Sequence, residues 1–169
     1  ATWLSTSPEQ TEACGAALAR HARGGELLAL CGPLGAGKTR LVRGLARGLD
    51  VPPDEPVVSP TFVLMREYDG RLHLYHLDAY RLAGADELAA LGLDELVADP
   101  AAMVVIEWAE RVAEALPPTA TWLELEHVGA AERRISGRGP LVERAIAELD
   151  TVLGRAPVGD DLPAAPEGR

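Results

Sequence analysis

The chain has 169 residues, 47% of them hydrophobic, and a formal net charge of −10 at pH 7. That is enough apolar material for one sizeable core, which predicts a single domain over residues 1–154 and a short flexible tail over 155–169. The acidity argues against an unaided grip on a nucleic-acid backbone, which rests on clustered Lys and Arg, and the absence of a long apolar run or leader pattern points to a cytoplasmic protein with no membrane role.

Trp3 and Leu4 predict a short first strand. Ser7 as N-cap, Pro8 at the first helical position and Glu9 in the first turn then open a helix to about Arg23, ended by Gly24 and Gly25. Glu26 to Cys31 (ELLALC) is a short apolar run bounded by glycines and reads as a buried strand. Cys14 and Cys31 are the only two cysteines, too few for a disulfide framework or a zinc cluster, and both read as reduced core thiols. Leu41, Leu45 and Leu49 share one face of the next helix.

Pro52, Pro53 and Pro56 stiffen a link into Val57 to Thr61. Phe62 to Tyr68 and Leu72 to Leu77 flank Asp69-Gly70, a strong hairpin signal. Asp86 to Leu96 reads as a helix broken near Gly92, and Met103 to Trp108 as a buried strand followed by a helix over Ala109 to Leu116 that Pro117-Pro118 stops. Thr121 to Val128 alternates as a strand with Arg133 to Ser136 as its hairpin partner, and Leu141 to Leu153 is the last helix. Strands interleaved with helices in this order, with the glycine-rich run GPLGAGKT (Gly32 to Thr39) directly after a predicted buried strand, predict a three-layer α/β domain like that of the P-loop NTPases, with a largely parallel sheet plus β-hairpins. Ligands on such sheets sit beyond the carboxyl ends of the strands, where Cys31, Asp78 and Glu107 fall.

Gly32 to Thr39 (GPLGAGKT) matches G-x-x-x-x-G-K-[ST], between a predicted strand and a predicted helix. In that pattern backbone N–H groups surround a phosphate, Lys38 reaches the terminal phosphate oxygens, Thr39 offers its hydroxyl to magnesium, and the helix N-terminus adds its positive dipole end. All but one of the 16 basic residues are Arg, and the one Lys is Lys38, so this position requires an ammonium. The candidate nucleotide contacts are Pro33, Leu34, Gly35, Ala36, Gly37, Lys38, Thr39 and Arg40, together with Trp108. Asn is absent and Gln10 is the sole Gln, a bias shared by high-GC genomes and heat-adapted organisms. Without Asn there is no guanine-reading Asn-Lys-x-Asp motif, and Gln10 lies in the first helix, which favours ATP (and ADP) with Mg2+ over GTP.

Magnesium at such a loop needs a second protein contact, commonly a carboxylate ending a buried strand. Glu107 and Asp78 both qualify, and each has the alternative of being a helix cap or solvated loop residue. The working assignment gives Glu107 the magnesium shell and Asp78 the attacking water, with the roles open to exchange; Lys38, Asp78 and Glu107 form the candidate catalytic set, and Thr39, Glu107 and Asp78 the candidate metal set. Ser59-Pro60-Thr61-Phe62 is either a plain proline turn or a switch-like segment that senses a terminal phosphate. Trp108 is either plain core or packed near nucleotide or a partner. Arg81 and Arg111 are either phosphate contacts or solvated helix-face charges. His73 and His76 fall on opposite faces of one strand and cannot share a metal; His73 reads as structural.

GPLGAGKT, SPTF at Ser59 to Phe62, HLDAYRL from His76 to Leu82 and IEWAER from Ile106 to Arg111, in this order and spacing, resemble the TsaE (formerly YjeE) family, the ATPase component of bacterial tRNA threonylcarbamoyladenosine synthesis. The resemblance covers about Leu27 to Leu116. It implies nucleotide contacts at Gly35, Gly37, Lys38 and Thr39, a switch-like segment at Ser59, Pro60, Thr61 and Phe62, important acids at Asp78 and Glu107, and the family's tryptophan at Trp108. It also implies the partners TsaD and TsaB, with tRNA reached only through them, and a weak, partner-dependent ATPase. The alternatives from other classes are a small-molecule kinase, which needs an Arg-rich lid that Arg133, Arg134 and Arg138 imitate weakly, and a nucleotide-controlled binding switch with negligible hydrolysis of its own.

Overall fold

Glu26–Cys31 carries four consecutive buried residues, Leu27 to Leu30, so both faces of its sheet must be covered, and the chain supplies a helical layer for each. In the structure, a computed structural model describing residues 1–156, the elements run β1 (Thr2–Ser5), α1 (Pro8–Arg20), β2 (Glu26–Cys31), α2 (Lys38–Gly48), β3 (Met65–Tyr68), β4 (His73–Asp78), α3 (Ala85–Ala90), α4 (Leu93–Ala98), β5 (Ala102–Glu107), a 3₁₀ segment (Ala109–Ala115), β6 (Thr121–His127), β7 (Arg133–Arg138) and α5 (Pro140–Leu153). The seven strands form one sheet in the order β1-β7-β6-β2-β5-β4-β3. The inner four, β6, β2, β5 and β4, are parallel, whereas β3 and β7 are antiparallel hairpin partners and β1 pairs antiparallel with β7. One core lies between the sheet and α1, α2 and α5, the other between the sheet and α3, α4 and the 3₁₀ segment. Among the described residues, no helix is long and apolar enough to cross a membrane.

Strand order reverses at β2. From it the chain moves through α2 towards β4 and β5 on one side, and after β5 it crosses to β6 on the other. The crevice beyond the carboxyl end of β2 is therefore a topological switch point, where doubly wound sheets bind ligands.

Several expected boundaries shift for local reasons. Ser7 caps α1 by accepting from the Gln10 amide, but the helix ends at Arg20 rather than Arg23. Helix α2 starts at Lys38, so the lysine belongs to its first turn. The stretch expected to begin a strand at Phe62 is a turn as far as Leu64, whose φ of 67° and N–H hydrogen bond to Pro60 O keep it out of the ladder. Gly92, at φ 82°, separates α3 from α4. The helix expected after β5 is a 3₁₀ segment kinked at Val112, since Pro117 forces Leu116 into extended backbone within a single short stretch. Arg155 bridges to Trp3 and the Ala156 amide reaches Thr2 O; the rest of the expected flexible tail, 157–169, lies outside the described residues.

Helices α1 and α2 touch backbone to backbone. A Cβ on Gly44 would lie 1.8 Å from Glu12 O, and one on Gly15 would lie 2.1 Å from Leu41 O. Gly44→Ala gains about 1 kcal/mol of helix propensity but forces the two helices apart. A net loss of about 2 kcal/mol is expected, read as a fall of about 4–8 °C in melting temperature. An unchanged melting temperature would show that this contact is not close in solution.

Candidate functional site

Residues 32–37 join β2 to α2, and Gly37 precedes the helix at φ 105°, a conformation that favours glycine. No side chain among the described residues caps this helix N-terminus. Among the described residues no backbone carbonyl accepts from the N–H groups of Gly35, Gly37, Lys38, Thr39 and Arg40, so a row of donors is left for an anion. Lys38 is only 5% exposed; its ammonium donates to Gly32 O and to Pro33 O (3.0 Å) and lies 3.9 Å from the centre of the Trp108 ring. Burial lowers its pKa from the ordinary lysine value, opposed by the charges of Glu107, Glu110 and Asp78. Two of its three N–H donors serve the loop carbonyls, which leaves one for a ligand.

The first turn of α2 also carries Thr39, whose hydroxyl donates to Glu107 Oε1 at 2.8 Å. Glu107 ends β5 and is 3% exposed, and its second oxygen, Oε2, lies 2.6 Å from Nε2 of the wholly buried His76. On the neighbouring strand Asp78 stands directly opposite Glu107. Its Oδ2 accepts from Ser59 (3.0 Å) and Thr61 (2.8 Å), and its Oδ1 accepts from the Tyr80 amide (2.8 Å). Asp78 therefore anchors the Ser59–Thr61 segment to the end of β4. Trp108 occupies a left-handed conformation, φ 58° and ψ 38°, a strain of about 1–3 kcal/mol for a bulky residue. Its ring lies between the Lys38 ammonium and Tyr80, whose ring centre is 4.9 Å away.

These groups meet in a cleft of about 670 Å³, lined among others by Leu34, Gly35, Ala36, Gly37, Lys38, Thr39, Arg40, Ser59, Thr61, Asp78, Glu107 and Trp108. Three of the sequence candidates stand apart from its wall. Pro33 contributes its carbonyl to Lys38, Pro60 is buried behind the segment, and Phe62 is 83% exposed with the Arg81 guanidinium 4.5 Å above its ring. Arg81 and Arg111 do not line the cleft; Arg111 sits 5.5 Å from the Tyr80 ring centre. Cys14 and Cys31 are free thiols pushed up to about 12, in both cases chiefly by burial, so neither is a ready nucleophile.

Some residues at the site lie outside the nucleotide, metal and switch-like sets expected from sequence. Pro8, Thr11 and Tyr80 also line the cleft. Arg133, at the start of β7, donates to Gly35 O (3.3 Å) and Ala36 O (3.2 Å) and ties the β6–β7 hairpin to the loop. For His76 the sequence gives only its exclusion from a shared metal with His73 and its place at the head of HLDAYRL. The usable signal was its spacing of two from Asp78, which puts both on one face of β4.

The donor set suits a phosphate chain with a hard cation: orphan N–H groups and an ammonium for the anion, and a hydroxyl and carboxylates for the metal. Among the described residues there is no group of three or more His, Cys, Asp or Glu able to cage a metal.

A buried strand running through a glycine loop into a helix, with carboxylates at the ends of the adjacent strands of a three-layer sheet, defines a P-loop NTPase-like domain. Residues 5–135 match the family described as Threonylcarbamoyl adenosine biosynthesis protein TsaE. The chain is 40% identical to the tRNA threonylcarbamoyladenosine biosynthesis protein TsaE of Treponema pallidum (79% of this chain, 96% of that one) and 41% identical to the protein of the same name from Bacillus subtilis (79% and 82%). The crystal structure of Bacillus subtilis YdiB superposes with a TM-score of 0.72 at 34% identity, covering 89% of this chain and 94% of that one. The chain belongs to the TsaE family.

Proposed function

We propose that this chain binds ATP with magnesium in the cleft and hydrolyses it, in the cytoplasm, in support of threonylcarbamoyladenosine formation on tRNA. The observation that carries the chemistry is the Thr39–Glu107 contact at 2.8 Å, at the head of a helix whose first N–H groups lack partners. Lys38 and the loop N–H groups hold the phosphates, and Thr39 with Glu107 holds the magnesium shell, which supplies charge neutralisation at the terminal phosphates. Asp78, facing the cleft beside Glu107, orients the attacking water and couples it to Ser59 and Thr61. Trp108 packs against the lysine that contacts the phosphates.

The tRNA role follows from family membership and from the names of the relatives. TsaD and TsaB are the proposed protein partners, and tRNA is reached through them, consistent with the charge of −10. A phosphoryl-transferring kinase is less well supported, because Arg133 is spent on loop carbonyls and Arg138 lies 5.3 Å from the Trp122 ring, away from the cleft. A nucleotide-controlled binding switch shares the same site and is favoured for the free subunit by the Asp78 bonds to Ser59 and Thr61.

The test is phosphate release from ATP by the chain alone and with TsaD and TsaB, alongside a pull-down comparing wild type with Lys38→Ala. The expected result is slow release alone, stimulation by the partners, and no phosphorylated acceptor. Absence of stimulation together with a phosphorylated small molecule would replace this reading with the kinase.

A further inference from the structure

His76 has no part in the cleft wall, yet it is one of the few wholly buried polar side chains. We infer that His76 is a positioning residue for Glu107, fixing its carboxylate so that Oε1 is presented to Thr39 and to the metal; this rests on the magnesium reading of the cleft. Glu107 terminates in a torsion with broad rotational freedom, and one hydrogen bond from Thr39 does not fix the plane of its carboxylate. The second anchor does: Nε2 of His76 lies 2.6 Å from Oε2, so each of the two oxygens is held by a different partner.

The register explains how His76 reaches it. His76 stands opposite Val105, and Asp78 stands opposite Glu107, which places the imidazole diagonally across the β4–β5 ladder from the carboxylate. The ring's other nitrogen, Nδ1, is buried without a hydrogen-bond partner among the described residues. Buried polar atoms are rarely left so, and packing alone would be served better by an apolar residue. With the hydrogen on Nε2, the ring donates to Glu107 and leaves only a lone pair on Nδ1, so the surroundings select the tautomer that serves Glu107.

The experiment compares His76→Leu, His76→Asn and His76→Gln by thermal unfolding, by nucleotide affinity in EDTA, and by the magnesium concentration that half-saturates the ATP complex. Gln extends an N–H donor about as far as Nε2 does, whereas Asn falls short and Leu has no donor. The magnesium midpoint is expected to rise about 10–100-fold in the Leu and Asn variants, to return close to wild type with Gln, and metal-free nucleotide affinity is expected to stay unchanged in all three. Should the Leu variant fail to fold, the Asn and Gln pair carries the comparison. Equal midpoints in the folded variants, or a Gln variant as impaired as Asn, would overturn the positioning role. A wild-type complex indifferent to magnesium would instead overturn the magnesium reading itself, and the inference with it.

Discussion

Lys38→Ala is expected to abolish the nucleotide-dependent rise in melting temperature while leaving the ligand-free protein folded. Nucleotide at 100 times its dissociation constant stabilises wild type by about 2.7 kcal/mol, or about 5–10 °C for a chain of this size. Most of that response depends on the one ammonium at the loop, because the loop's other donors are neutral N–H groups and the guanidinium groups beside it are engaged elsewhere, Arg40 by Glu12 and Arg133 by the Gly35 and Ala36 carbonyls. The ligand-free fold tolerates the change, since burial already disfavours the charged lysine. Lys38→Arg is expected to fail as well. The side chain is 5% exposed with its ammonium 3.9 Å from the Trp108 ring centre, and a planar guanidinium does not reproduce the compact point charge that contacts both loop carbonyls, a reason for a lysine in a chain that otherwise uses Arg. Differential scanning fluorimetry with and without Mg-ATP checks both variants; a wild-type ligand shift in Lys38→Ala would remove the lysine from the proposed site.

The loop was legible because its chemistry is local. Six residues of β2, eight of the motif and the first turn of α2 are contiguous, and each residue type there has one physical reason to be present. The Asp69-Gly70 hairpin and the break at Gly92 were legible for the same reason, being set by two residues and by one. What sequence did not disclose depends on pairing across the sheet. Nothing near His76 marks Glu107 as its partner 31 residues on, and period-2 reasoning only separated it from His73. Arg133 reads as part of a weak Arg-rich lid until the β6–β7 hairpin is placed beside the loop, 97 residues earlier in the chain. The 3₁₀ segment has the composition of an α-helix and becomes something else because Trp108 and Pro117 constrain its two ends. The two acids, which sequence does not tell apart, have different hydrogen-bond partners: Glu107 faces Thr39, and Asp78 faces Ser59 and Thr61.

That difference makes Asp78→Asn the most discriminating substitution at the site. The aspartate accepts on both oxygens: Oδ1 from the Tyr80 amide, Oδ2 from the two hydroxyls. An asparagine has one acceptor oxygen, so if that stays on Tyr80 its NH2 group faces the Ser59–Thr61 pair, whose hydroxyls must turn round to accept; the two charge-assisted bonds are lost, and no carboxylate is kept for the water. ATP turnover in the presence of the partners is expected to fall by about 10²–10⁴, with nucleotide affinity and the magnesium midpoint nearly unchanged. Glu107→Gln should show the opposite split, with the magnesium midpoint raised. Release of the segment has its own signature: proteolytic cleavage within residues 57–64 should quicken in Asp78→Asn and not in Glu107→Gln. Retained turnover in Asp78→Asn with accelerated cleavage would assign Asp78 to holding the segment alone. Loss of magnesium response in Asp78→Asn, with Glu107→Gln unaffected, would exchange the two roles.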